Sequence, residues 1–178
     1  MEIRYMNTKD DRMQISKIYE ESWKFAYRGI IPQDYLNSIQ EGQWAINLDN
    51  PNRKTLVCID NGRIVGTSSF SESRFERFLG FGEIISIYLL PHYIGKGYGR
   101  NLLKSAIVEL RKQGHENIFL WVLEENSRAR HFYEQFGFSP TDDFLDYNIR
   151  RERIARSPIY LQIAINSSLS RNMSYKSF

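Results

Sequence analysis

Apolar residues early in the chain recur at Ile15, Ile18, Tyr19, Trp23 and Ala26, the three-and-four spacing of a helix with one buried face. A short strand over Glu2–Met6 is predicted ahead of it, with Asp10 or Asp11 available as the helix cap. Gly29 breaks this helix, and Pro32 stands where the first turn of a short helical segment, Gln33–Ile39, tolerates proline. The period then changes. Thr55–Asp60 and Arg63–Phe70 are rich in strand formers and are joined by Asn61-Gly62, a pair suited to the positive φ angles of a tight turn, so an antiparallel hairpin is predicted. Ser71–Gly82 interrupts the pattern with polar residues, three phenylalanines and two glycines, and Glu83–Leu90 resumes it as a strand that Pro91 ends. A glycine-rich turn, Gly95–Gly99, leads into a helix marked by Leu102, Leu103, Ala106, Ile107 and Leu110, with Gly114 as its stop. Asn117–Leu123 reads as a strand, Ser127–Phe136 as a helix closed by Gly137, and Ile159–Ile165 as the last strand. The succession strand, loop, helix, strand, helix implies parallel pairing inside a mixed sheet, hence an α/β (α+β) fold with a twisted central sheet flanked by helices. One domain is expected over residues 1–165, followed by a loose tail over 166–178 that is rich in serine and asparagine and has no acidic residue.

Composition narrows the classes. The 178 residues suit one core. Lysine and arginine (24) exceed aspartate and glutamate (21) by three, too little to indicate a nucleic-acid partner, although a pI near 8.9 favours anionic ligands. The single cysteine, Cys58, excludes an internal disulfide and any multi-cysteine zinc site, and its place in the apolar run Leu56-Val57-Cys58-Ile59 reads as a buried structural thiol. His92, His115 and His131 are scattered without metal-ligand spacing, so no metal is expected. No stretch approaches the ~18 apolar residues of a membrane span and the first residues form no leader, so a soluble cytoplasmic protein with no membrane partner is expected. Arg150, Arg151, Arg153 and Arg156 form a basic run that reads as a solvated connection between strands.

The strongest chemical signal is Ile94-Gly95-Lys96-Gly97-Tyr98-Gly99-Arg100, set between a strand and a helix. Glycines let backbone N–H groups approach oxygen atoms closely, the helix start supplies further unsatisfied N–H groups and a positive dipole end, and Lys96 and Arg100 add charge. An anion such as a pyrophosphate suits this turn. A P-loop would require Ser or Thr after Lys96 to hold magnesium, and a Rossmann fingerprint would require Gly-x-Gly-x-x-Gly on the first strand; neither fits.

The same residues resemble motif A of the GCN5-related N-acetyltransferase (GNAT) family, Gln/Arg-x-x-Gly-x-Gly/Ala, read here as Ile94-x-x-Gly97-x-Gly99 with Ile94 in place of the consensus residue. Asn126-Ser127-Arg128-Ala129-Arg130-His131-Phe132-Tyr133-Glu134-Gln135-Phe136-Gly137-Phe138 resembles the family's motif B, Asn-x-x-Ala-x-x-Phe-Tyr-x-x-x-Gly-Phe, with every named position filled. Trp23–Pro32 is similar to the first-helix region of bacterial members, so the likeness spans roughly Glu2 to Phe138. What the resemblance implies is acetyl-CoA as co-substrate, with its pyrophosphate on the amides of Gly95, Lys96, Gly97, Tyr98, Gly99 and Arg100. It also implies a pantetheine arm along Ile87, Tyr88 and Leu89, in a gap where two parallel strands splay apart. The implied reaction is acetyl transfer to a primary amine of a small molecule or peptide, by direct attack in a ternary complex.

The chemistry requires further groups. An alkylammonium must lose a proton before it attacks, and a carboxylate acting through water is a suitable receiver. Glu83, eleven positions before Ile94 where well-known members carry a glutamate, is the candidate, with a strand-edge charge as its structural alternative. Tyr133 matches the family's tyrosine that protonates the departing thiolate; the alternative is an aromatic packing beside Phe132 and Phe136. A backbone N–H near Tyr88 or Leu89 would meet the negative charge on the acetyl oxygen, and Asn126 would bond the pantetheine amides or cap a helix. Trp23, Tyr27 and Phe75 are candidates for an acceptor pocket, or for core. Two other readings are a catalytically inactive CoA-binding regulatory module of the same fold and a P-loop nucleotide binder. A homodimer is compatible with the family likeness, since pairing is common in such enzymes.

Overall fold

The computed structural model describes residues 1–149 and 152–162. A first strand, β1 (Glu2–Tyr5), precedes helix α1 (Arg12–Ala26), where Asp11 caps the helix by accepting from the backbone N–H groups of Met13 and Gln14 at 2.8 and 3.3 Å. A short helix, α2 (Gln33–Asn37), starts one residue after Pro32. The expected hairpin is present as β2 (Lys54–Asp60) and β3 (Arg63–Glu72), with φ of 48° at Asn61 and 75° at Gly62, the positive angles that a primed turn requires. The middle of the chain then forms β4 (Gly82–Leu89), α3 (Tyr98–Lys112), β5 (Ile118–Trp121) and α4 (Ser127–Glu134).

The last part differs from the expectation. A long hairpin, β6 (Ser139–Ile149) and β7 (Glu152–Gln162), occupies the region expected to hold a connection and one strand, and Arg153 and Arg156 fall inside the ladder opposite Asn148 and Asp146. Strands without an alternating apolar face escape a periodicity test, because pairing here runs through the backbone while the sequence stays polar. Arg150, Arg151, Ile163–Ile165 and the tail 166–178 lie outside the described residues.

Among the described residues the strands form one seven-stranded sheet in the order β1-β2-β3-β4-β5-β7-β6, with β4 and β5 its parallel pair. The two long helices lie on opposite faces. Gly66 of β3 meets Leu102 of α3, whereas Ser69, three positions on and so on the other face, bonds the Tyr19 hydroxyl of α1 at 3.1 Å. Leu102, Leu103, Ala106 and Leu110 of α3 and Ile15, Ile18 and Tyr19 of α1 are buried, and Cys58 of β2 is in the same core. A smaller cluster of Ile31, Leu36 and Ile39 seats α2 beneath Trp23 and Tyr27. No helix among the described residues is long and apolar enough to cross a membrane.

One irregularity shapes the centre of the sheet. Ser69 pairs with Ser86 and Phe70 with Ile84, so Ile85 is an extra residue on β4, a bulge. Pairing of β4 with β5 covers Gly82↔Ile118, Glu83↔Phe119 and Ile84↔Leu120 and ends at that bulge. Beyond it β4 continues to Leu89 and the two strands part, leaving one edge of β4 without a strand partner.

Candidate functional site

A cleft of about 790 Å³ opens where the two strands part. Ile87, Tyr88 and Leu89 of β4 form one wall, Trp121 and Val122 the other, and the glycine turn with Arg100 closes one end; residues of α1 and α4 complete the lining. The Ser22 hydroxyl of α1 donates to the Leu89 carbonyl at 2.6 Å, which satisfies one main-chain oxygen at the border of the gap.

The glycine turn has the geometry that oxygen-rich anions need. Gly95 and Gly97 adopt φ of 79° and 87°, and a Cβ at either would meet no atom within 4 Å, so conformation rather than crowding calls for glycine there. Gly99 is different: a Cβ would lie 3.4 Å from Leu89 Cδ1 and 3.7 Å from the Phe132 ring, between two walls of the cleft. Helix α3 starts at this turn with Gly97 as its cap residue and no side-chain cap, whereas α1 and α4 are capped by Asp11 and Asn126. Its first N–H groups are therefore left for whatever enters the cleft, at the positive end of the helix dipole. The Arg100 guanidinium lies at 5.0 Å over the Phe136 ring and lines the same end.

The side chains of Lys96 and Tyr98 turn elsewhere. Both line a separate polar hollow with Glu21, Asp60 and Arg63; the Lys96 ammonium lies 5.8 Å from the Tyr93 ring centre. The Tyr98 phenol is pushed up from its ordinary range, first by lost hydration and then by its hydrogen bond to Asp60. Neither side chain is part of the cleft lining.

Tyr133 lines the cleft from α4, half-buried, with its ring edge-on to Phe132 at 5.2 Å and to Phe138 at 6.1 Å. Loss of hydration, and secondarily the neighbouring Tyr88, hold its phenol far above the usual tyrosine range. Asn126 also lines the cleft, and its Oδ1 accepts from the Ala129 N–H at 3.1 Å; the cap uses its oxygen, and the amide NH₂ is the group it has to offer a ligand.

Glu83 is fully buried on β4 and is not part of the cleft lining. Arg74 donates to it from Nε at 2.9 Å and from a second guanidinium nitrogen at 2.6 Å, and the Arg74 backbone N–H adds a contact at 3.3 Å. Of the aromatic candidates, Tyr27 lines the cleft, Trp23 supports it from behind, and Phe75 packs on Trp121 at 5.4 Å outside the lining. Sequence reasoning missed Trp121, Phe25 and Arg128, which also line the cleft; no spacing rule marks them, because the fold alone brings them there. Among the described residues no cluster of His, Cys, Asp or Glu could hold a metal ion.

Comparison with known proteins gives a consistent result. The model of the acetyltransferase (GNAT) family matches residues 14–138. An uncharacterized N-acetyltransferase of Bacillus subtilis, YuaI, is 33% identical over 119 residues, 66% of this chain and 69% of the relative. The spermidine N(1)-acetyltransferase of Thermoplasma acidophilum is 30% identical over 149 residues, 80% of this chain and 90% of the relative. The crystal structure of the PaiA N-acetyltransferase of Thermoplasma acidophilum in complex with coenzyme A superposes with a TM-score of 0.67 at 21% identity, covering 89% of this chain and 98% of that one.

Proposed function

Because the chain belongs to the GNAT family of acetyltransferases, we propose that it transfers the acetyl group of acetyl-CoA to a primary amine by direct attack in a ternary complex. The observation that carries this reading is the uncapped start of α3, set at the glycine turn where the gap between β4 and β5 begins. The residues present suit coenzyme A: main-chain N–H groups of Gly95 to Arg100 for the pyrophosphate, and the unpaired edge of β4 at Ile87, Tyr88 and Leu89, with the Asn126 amide, for the pantetheine. Acetyl-CoA, when bound, supplies an acyl group activated as a thioester.

The protein's own groups account for the remaining steps. Tyr133 lines the cleft and is our candidate for donating a proton to the departing thiolate. A β4 main-chain N–H near Tyr88 or Leu89 offers a fixed hydrogen bond where charge develops on the acetyl oxygen. Glu83 is our candidate for receiving the amine proton; being fully buried, clamped by Arg74 and outside the cleft lining, it could take that proton only through bridging water.

The test is thiol release from acetyl-CoA with a panel of amines. Amine-dependent release is expected, and Tyr133→Phe should lower kcat by roughly 10²-fold with little change in acetyl-CoA affinity. A protein that binds acetyl-CoA and never liberates its thiol would support the inactive module instead. Unchanged turnover in Tyr133→Phe would remove Tyr133 from the mechanism.

A further inference from the structure

The cleft has two ends, and the glycine turn takes one of them. Besides the turn, the lining includes Tyr27 and Ile30 after the end of α1, Tyr88 of β4, and Trp121, the β5 residue next to the last β4–β5 pair, so an acceptor in the cleft meets aromatic rings. Those rings are fixed in place. Trp23 stands edge-on to Tyr27 at 4.8 Å and donates its indole N–H to the Tyr88 hydroxyl at 2.9 Å; Tyr19 packs on Tyr88 at 4.6 Å, and Phe75 on Trp121 at 5.4 Å. A preset aromatic wall favours a flat or bulky apolar body, and ring faces attract a single ammonium.

The lining beside α4 is polar: Arg128, from the first turn of α4, reaches across to α1 and lies over the Phe25 ring at 5.5 Å, with the carboxylate of Glu125 in the same lining.

We propose that the acceptor is a primary amine carried on an aromatic or bulky apolar body, and that Tyr27 is the residue that selects it. This rests on the transferase reading above and extends it. It separates this chain from an acceptor of linear polyamine type.

The experiment measures thiol release from acetyl-CoA with 2-phenylethylamine, ethylamine and spermidine on the full-length protein. The expected order places kcat/KM for 2-phenylethylamine at least about tenfold above the other two, the scale on which an apolar pocket discriminates. Tyr27→Ala should raise KM for 2-phenylethylamine by about tenfold and leave kcat within about twofold, while Tyr27→Phe restores the KM. Calorimetric titration with acetyl-CoA, giving equal affinities, shows that each variant is folded. Spermidine as the best acceptor, release only with other amines, or a KM that Tyr27→Ala does not move would overturn the assignment while the transferase stands. Absence of release with every amine, from protein that binds acetyl-CoA, would take both readings down.

Discussion

At the scale of single residues, burial and pairing push acids in opposite directions. Cys58, inside β2 and fully buried, has its thiol pushed up to about 11, mainly by lost hydration, so it stays protonated and chemically quiet, as its apolar run predicts. Asp10 shows the reverse. Two guanidinium nitrogens of Arg4 donate to it at 2.6 and 2.8 Å, and this pairing, with the Asn7 N–H, outweighs the cost of burial and lowers its carboxyl below the ordinary range. A lowered folded value stabilises the fold above the unfolded carboxylate range, about pH 4, and that contribution is lost as pH falls through the folded value. Arg4→Ala should therefore lower the urea midpoint at neutral pH, with the gap from wild type narrowing toward about pH 2.5. A gap of constant size across that range would contradict the ion-pair explanation.

At the scale of elements, the β2–β3 hairpin offers a clean test of turn chemistry. Gly62 holds a φ of 75° with no atom within 4 Å of the Cβ position, so Gly62→Ala adds left-handed strain and no clash. The expected cost is about 1 kcal/mol, seen as a fall in Tm of roughly 2–4 °C, and an unchanged Tm would mean the turn relaxes. This hairpin was legible because Asn-Gly fixes a backbone geometry, and α1 and α3 were legible because their apolar residues repeat with the helical period. The β6–β7 hairpin was not, since its polar residues carry no such repeat. In the site, the glycine turn and the cleft face of α4 could be read directly, as backbone freedom and helix starts leave marks in sequence. The capping of α4 by Asn126 was among the sequence readings, whereas the direction of the Lys96 side chain and the Arg74 clamp on Glu83 could not be read, because each depends on a neighbour that only the folded chain supplies.

At the scale of the whole molecule, the cleft joins β1–β4 to β5, β7 and β6 across a short parallel seam, and a ligand held between them links both sides. Acetyl-CoA at one hundred times its Kd should add about 2.7 kcal/mol to stability by mass action, raising Tm by several degrees. Gly97→Val should remove most of that ligand-induced rise, beyond any change in the unliganded Tm, because a branched residue resists the φ of 87° that exposes the turn's amides. An equal rise in both proteins would place the anion elsewhere. The bulge at Ile85 carries a last consequence. It reverses the sidedness of everything after it, so Tyr88 faces α1 beside Trp23 and Tyr19 while Leu89 faces Gly66 and Gly99 on the other side. With one residue fewer the parity of β4 would invert, the tyrosine would be delivered under α3, and the aromatic chamber would lose its floor although no residue of its walls had been touched.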